Sequence, residues 1–420
     1  MIFGPIWFGD KRPKALIFRH AGWERPALLT SKTDERDNAR IRDTVEARRG
    51  SGFVRVGGRV FRTIWLDNEG ASVQIIDQAR LPHEFEIVSI TTVSEAARAI
   101  KDMQVRGAPL IGVTTAYGLA LAMREEPSDA NLETACAALG AARPTAVNLQ
   151  WALEAMRRHL LTLPPAERGR AGFAYADAIA EQDVGLCQAI GAHGLGLIRA
   201  AATRKQDARV NILTHCNAGW LATVDWGTAM APIYKAHDEG VALHVWVDET
   251  RPRNQGMSLT AWELGEHGVP HTIIVDNAGG HLMQLGMVDL VIVGTDRTTA
   301  SGDVCNKIGT YMQALAARDN GVPFYVAAPS PSIDFLILDG IGSVPIETRS
   351  EVEVTHITGL AANGRIETVR LSPSGSKAVN YAFDVTPARL VTGLITERGV
   401  IAPNREALAN AFPERIAKVS

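Results

Sequence analysis

Long apolar runs are missing from this sequence. None reaches the roughly 18 residues that a membrane helix needs, and the N-terminus interrupts its apolar pieces with "GDKRPK" where a secretory segment would be continuous. A soluble chain is therefore expected, with no membrane partner. Cysteine is scarce as well: Cys136, Cys187, Cys216 and Cys305 are the only four in 420 residues, and no two have a paired spacing. That excludes a disulfide scaffold or a zinc ribbon and makes a reducing cytoplasm the expected compartment. Neither sign of charge dominates, with 43 Lys and Arg against 46 Asp and Glu, a net of −3. Without a long basic face to follow a phosphate backbone, nucleic acid is not an expected partner. No G-x-G-x-x-G follows the first strand of the C-terminal half, and "CNAGWLATVDWGTA" carries no Walker lysine, so nucleotide binding has no local support. His267 and His271, in "HGVPH", straddle a proline-containing loop and cannot share a helical face as zinc-binding pairs do. No metal and no cofactor are expected.

What is present falls into three stretches. Residues 1–52 include "TDERDNARIRDTVEARRG", ten charges and almost nothing to bury, which reads as a flexible N-terminal extension outside the functional core, compatible with lying ahead of the natural start of translation. From Phe53, "VRVGGRVFRTIWL" alternates around Gly57-Gly58, a hairpin signal. Thr92 stands three residues ahead of Glu95, a capping box before an apolar-periodic helix. Further helical patterns continue to the "TRKQDA" break. Residues 53–203 are thus expected to form a smaller, mostly helical domain with β-strands at its entrance. Residues 204–420 change rhythm: "RVNILTH", "VALHVWV", "PHTIIV", "VDLVIVG" and "PFYVAA" recur at intervals that leave room for one helix each. Continuous apolar strands with helical crossovers predict an α/β, Rossmann-like, doubly wound parallel sheet.

In that topology the first and fourth strands are neighbours, and ligands bind beyond their carboxyl ends where the winding reverses. Cys216 follows the first strand and Asp296 the fourth. Topology alone would bring both to one cleft. Elsewhere, Arg106, Gly107 and Ala108 precede Pro109, which suits the first position of a helix. Free backbone N–H groups beside a guanidinium make an anion seat. Arg143 repeats the arrangement before Pro144, "CNKIGT" places Asn306 and Lys307 at the start of another helix, and Gln255 sits in the polar loop "ETRPRNQG". Together these suggest a small phosphorylated ligand.

Each residue also has a plainer reading. Cys216 could be a small buried hydrophobe. Asp296 could cap a helix or pair with Arg297. Arg106 and Arg143 could be structural ion-pair partners, and His215 reads as a turn residue rather than a ligand. "NAGGH" at 277–281 reads as close packing at a helix start.

The segments "RGAPLIGV", "RPTAVNLQWA", "THCNAGWLAT", "DETRPRNQGMSLTAWEL", "VGTDRTTASGDVCNKIGTY" and "GVPFYVAAP" resemble, in order and spacing, the S-methyl-5-thioribose-1-phosphate isomerases of methionine salvage, relatives of the regulatory subunits of translation initiation factor 2B. The resemblance runs from about residue 56 to about 400. It implies a homodimer, a cleft between a helical and a Rossmann-like domain, catalytic roles for Cys216 and Asp296, and substrate contacts from Arg106, Gly107, Ala108, Arg143, Gln255, Asn306 and Lys307. The chain departs from the pattern at "DNAGGH", at "GTDR" and at Tyr381 in "NYAFD", which bears on the pocket around the 5-substituent. The implied reaction is an aldose-to-ketose isomerisation in which Asp296 acts as general acid on the ring oxygen and Cys216 as acid/base at C2 and C1. Two other activities stay open at this point. One is the same chemistry on 5-deoxyribose 1-phosphate or ribose 1,5-bisphosphate; the other is a non-catalytic regulatory role like that of the initiation-factor subunits.

Overall fold

The computed structural model describes residues 55–67, 70–206 and 208–416. The expectation for residues 1–52 lies outside the described residues. Strands β1 (Arg55–Val56) and β2 (Arg59–Val60) pair across the Gly57-Gly58 turn as the alternation predicts. Strands β3 (Ile64–Leu66), β4 (Val73–Ile76) and β5 (Ile87–Ile90) follow as an antiparallel sheet.

Five helices come next. In α1 (Val93–Lys101) the capping box is complete: Glu95 N–H donates to the Thr92 hydroxyl, and the Glu95 carboxylate accepts the Thr92 N–H, both at 3.2 Å. Helix α2 (Ala108–Glu125) has Pro109 in its first turn and is buried from Leu110 through Met123. A helix apolar on every side has to be surrounded. Helices α3 (Asp129–Ala142), α4 (Val147–Leu161) and α5 (Pro165–Arg204), together with α1, supply that enclosure. Helix α5 has 40 residues, about 60 Å at 1.5 Å each, and it joins the two halves. Ala176, Ile179 and Val184 pack in the helical core. Further along the same helix, Ile190, Leu195 and Ile198 pack under the sheet.

The sheet region runs β6 (Val210–Thr214), α6 (Ala231–Asp238), β7 (Leu243–Asp248), α7 (Ala261–His267), β8 (His271–Ile274), α8 (Ala278–Gln284) and β9 (Leu290–Val293). It continues through β10 (Arg297–Thr299), β11 (Val304–Lys307), α9 (Thr310–Asp319), β12 (Phe324–Ala327) and β13 (Ile333–Asp334). After these come α10 (Gly340–Ser343), β14 (Thr348–Arg349), α11 (Val352–Thr355), the β15 (His356–Leu360) and β16 (Ile366–Arg370) hairpin, β17 (Asn380–Tyr381), β18 (Phe383–Thr386), β19 (Gly393–Thr396), β20 (Gly399–Ile401), α12 (Arg405–Ala411) and α13 (Pro413–Ile416). The main sheet has the order β20-β19-β12-β9-β6-β7-β8, parallel except for β20 at its edge. Alternate residues explain why both faces are covered: Ile212 and Ile292 point into the core shared with α5 and α6, while Leu213, Val291 and Val293 point into the opposite core. The winding reverses between β6 and β9, which are hydrogen-bonded neighbours.

Two features differ from the sequence reading. The fourth strand does not lead straight into a helix. It leads into β10 and β11, which with β13 and β18 form a second, four-stranded sheet of order β13-β10-β11-β18. Asn306 and Lys307 are therefore not at a helix start. They end β11, paired with Asp384 and Phe383 of β18, and α9 begins only at Thr310, after Gly309. The strand pairing consumes the backbone groups that a helix would have used.

Candidate active site

Cys216 stands two residues beyond β6 with φ of 64°, a left-handed conformation that costs a non-glycine residue about 1–3 kcal/mol and is held only by its surroundings. Those surroundings are on the neighbouring crossovers. The Cys216 N–H donates to the Thr250 hydroxyl at 2.8 Å, its carbonyl accepts from Thr260 at 2.6 Å, and its thiol faces the Gln255 carbonyl oxygen at 3.5 Å. Gln255 and Thr260 belong to the polar loop after β7 and the π-helical turn Gly256–Thr260 that leads into α7. Burial pushes the Cys216 thiol up, and Arg106 and Lys307 pull it back down. Asp296 lies three residues beyond β9. Burial raises its carboxyl above the ordinary range, against the lowering effect of Lys307, Arg143 and Arg106. The plainer readings of Asp296 find no support: a strand follows it rather than a helix, and Arg297 pairs with Asp334 at 3.6 Å.

One cavity, with about 610 Å³ of atom-free space partly open to solvent, is lined by Cys216 and Asp296 and by every other residue singled out from the sequence: Arg106, Gly107, Ala108, Arg143, Gln255, Asn306 and Lys307. Two segments of the helical half reach it. Gly107, with φ of 91°, turns the chain into α2, whose first residues Ala108 and Pro109 line the cavity. Arg143, between α3 and α4, donates to Glu347 at 2.8 Å, so the ion-pair reading is realised for this residue even though it lines the cavity. Among the described residues Arg106 pairs with no carboxylate directly; its guanidinium donates to the side-chain and backbone oxygens of Asn217. The Lys307 ammonium lies 4.8 Å from the centre of the Phe383 ring. Its burial lowers its proton affinity, while Cys216 and Asp296 raise it. Three cations against one carboxyl and one thiol make a cavity suited to an anion. A second, neighbouring cavity shares Met103, Arg106 and Gln255 with the first.

Two residues that matter here carried no sequence signal of their own, and a third was misread. Asn217 and Glu263 hold the turn after Cys216, and His215 is no turn residue. It is buried, with one ring nitrogen 2.9 Å from Asp248 and the other donating to the Ile308 carbonyl at 2.8 Å. Gln313 completes the link by donating to Asp248 at 2.7 Å. His215, Asp248 and Asp276 bring one ligand atom each within 4.8 Å of one another. Both ring nitrogens are already hydrogen-bonded, however, and Asp276 accepts the N–H groups of Thr250 and Arg251 at 2.6 and 2.8 Å. The network ties together the chain segments after β6, β7, β8 and β11. Its signal in the sequence is only a histidine beside a cysteine; the ring's partners are 33 and 93 positions away. Of the other histidines, His267 bonds Asp238 and His271 bonds the Val269 carbonyl, each at 2.8 Å.

A doubly wound sheet with a buried thiol, a buried acid and clustered cations at its switch point is the architecture of an α/β enzyme with an anion-seeking cavity. The chain belongs to the initiation factor 2 subunit family, whose model matches residues 104–403, and within it to the methylthioribose-1-phosphate isomerases. A methylthioribose-1-phosphate isomerase of Methylocella silvestris is 70% identical over 365 residues, covering 87% of this chain and 100% of the relative. One from Brucella anthropi is 63% identical over 363 residues, covering 86% and 100%. Among solved structures, the 5-methylthioribose 1-phosphate isomerase of Pyrococcus horikoshii matches with a TM-score of 0.73 at 40% identity, over 85% of this chain and 97% of that one. The translation initiation factor eIF-2B subunit delta of A. fulgidus matches with a TM-score of 0.69 at 38% identity, over 84% and 99%. The chain is thus an enzyme of the aldose–ketose isomerase class.

Proposed function

We propose that this protein converts 5-methylthioribose 1-phosphate to 5-methylthioribulose 1-phosphate in methionine salvage, with Asp296 and Cys216 as the catalytic pair. The observation that carries the reading is the placement of these two groups beyond adjacent parallel strands, lining one cavity with Arg106, Arg143 and Lys307. An ordinary aldose opens its ring through a free anomeric hydroxyl. A 1-phosphate blocks that route, so the enzyme has to assist cleavage of the bond between C1 and the ring oxygen. Asp296, whose carboxyl burial raises above its ordinary range, donates its proton to the ring oxygen as that bond breaks. Cys216 takes the proton from C2 and returns one at C1, while the C2 hydroxyl gives up its proton as its oxygen becomes the carbonyl and so replaces the one Asp296 donated; the sum is an isomerisation with nothing gained or lost. Burial works against the thiolate this requires, and Arg106 and Lys307 work for it. The phosphate sits at the N-terminus of α2 against Arg106, Gly107 and Ala108, with Arg143 on its flank, and Gln255, Asn306 and Lys307 hold the sugar hydroxyls. Residues 53–203 form one wall of the cleft and 204–420 the other, with residues 1–52 taking no part. The chain works in the cytoplasm as a homodimer, a state supported by the exposed Ile273, Val275, Leu285 and Met287 along the edge strand β8 and the segments that follow it.

The test is turnover of purified protein on 5-methylthioribose 1-phosphate, 5-deoxyribose 1-phosphate and ribose 1,5-bisphosphate, beside Cys216→Ser and Asp296→Asn. The methylthio sugar is expected to be preferred, and each variant to lose about 10²–10⁴ in kcat. Near wild-type turnover in either variant removes its assigned role. Deuterium at C2 is expected to wash out into solvent; its retention at C1 would replace proton transfer with a hydride shift.

A further inference from the structure

The turn that carries Cys216 continues through Asn217 to Ala222, and a single carboxylate outside the cavity organises it. Glu263, on α7, is fully buried. Its two oxygens accept four hydrogen bonds. One oxygen accepts from the Asn217 amide and the Leu221 N–H, both at 2.9 Å; the other accepts from the Trp220 N–H at 3.0 Å and the Tyr234 hydroxyl at 2.8 Å. Burial pushes the Glu263 carboxyl up to about 7, and the four donors converging on it pull toward the ionised form. A buried anion needs a cation, and the one that faces it is Arg106, reached through Asn217. Arg106 donates to the Asn217 side-chain oxygen and, at 2.7 Å, to its backbone carbonyl, while the other end of the same amide donates to Glu263. This orientation of the amide is forced, because a guanidinium only donates and an ionised carboxylate only accepts. The fit leaves no slack: a Cβ on Gly219 would fall on a Glu263 oxygen. At the far end of the turn, Ala222 lies against Gly107, whose Cβ would come 2.5 Å from the Ala222 carbonyl oxygen.

We propose that Glu263 is a positioning residue for the anion seat, aiming Arg106 through Asn217 and bracing the N-terminus of α2 through the Trp220–Ala222 turn. The proposal rests on the reading of Arg106 and α2 as the phosphate seat. Glu263 itself does not line the cavity and touches no substrate.

Three near-isosteric variants test it: Glu263→Gln, Asn217→Asp and the two combined. In Asn217→Asp two carboxylates face each other. In the double variant the new glutamine amide can again donate to residue 217, which still accepts from Arg106. The readouts are the calorimetric Kd for inorganic phosphate, and KM and kcat for the sugar phosphate, with Arg106→Ala as reference. Each single variant is expected to raise phosphate Kd and KM together by tenfold or more, with a smaller change in kcat. The double variant is expected to recover at least half of that loss on a logarithmic scale. A role in packing alone would lower the melting temperature of all three while leaving phosphate Kd unchanged, and that result overturns the proposal. If Glu263→Gln does not fold, Tyr234→Phe removes one of the four donors and is expected to weaken phosphate binding by two- to fivefold; no change there counts equally against it. Should Arg106→Ala bind phosphate normally, the seat itself is misassigned. Should Arg106→Ala weaken binding while the Glu263 and Asn217 variants do not, only the positioning role fails.

Discussion

Asp183, on α5, accepts the Val224 N–H at 2.8 Å in a fully buried setting, and burial pushes its carboxyl from the ordinary 3.8 up to about 7. Asp225, two residues past Thr223, is also pushed up to about 7 by burial. Between pH 3.8 and 7 the folded chain holds these protons and the unfolded chain has released them. Stability is therefore greatest at the acid end of that window, falls as pH rises through it, and levels off above about 7. A displacement of that size corresponds to as much as about 4 kcal/mol for one fully buried group. Asp183→Asn is expected to narrow the difference between the urea midpoints at pH 5 and pH 8, with Asp225, Glu263, Asp248 and Asp384, which burial also raises, supplying the rest; an unchanged difference would show that Asp183 keeps its charge in the fold. At this scale much was legible. Cys216 and Asp296 could be named from the sequence because each follows a recognisable strand, and Arg106 because Pro109 marks the helix start behind it; Lys307 was singled out for a helix start that proved to be a strand. Asn217, Glu263 and Asp248 could not, because their importance lies in hydrogen bonds to residues distant along the chain, and a lone polar residue in an apolar-rich stretch has the same appearance whether or not it finds those partners.

Among the elements, α2 shows most directly how local conformation reaches the site. Its N-terminus can meet the turn after β6 only because position 107 has no side chain and takes a φ of 91° that other residues rarely adopt. Gly107→Ala adds a methyl group 2.5 Å from the Ala222 carbonyl oxygen and strains the backbone. The expected outcome is a loss of about 1–3 kcal/mol in chemical denaturation, with a rise in KM that exceeds any fall in kcat; a variant of unchanged stability and KM would mean that the turn can give way. The capping box of α1 and the Gly57-Gly58 hairpin were readable because their signals lie within four residues of one another. The helix expected at Asn306 and Lys307 was a strand, since "VCNK" has no local preference strong enough to resist pairing with β18, some 75 positions later. The same limit hid the four-stranded sheet as a whole: its strands have two to four residues each, too short to show a period.

For the whole molecule, the α5 helix explains why the two halves should behave as one: its first part is core to the helical half and its last part is core to the sheet. Association of two such chains through the exposed apolar edge beside β8 predicts a solution mass of about twice 45.2 kDa. Light scattering coupled to gel filtration measures it, and Val275→Glu with Leu285→Glu is expected to bring the mass down to that of one chain; a wild-type mass of one chain would remove the dimer from the proposal. The sequence by itself determined the fold class, the strand order at the switch point and hence the meeting of Cys216 with Asp296, because apolar periodicity and the handedness of parallel crossovers leave little freedom. The tertiary structure alone decided that Arg143 leans on Glu347, that Arg106 answers to Glu263 through Asn217, and that His215 is clamped by Asp248. Burial makes each of these polar groups depend on finding a partner, and which partner comes within reach is settled only when all the layers have packed.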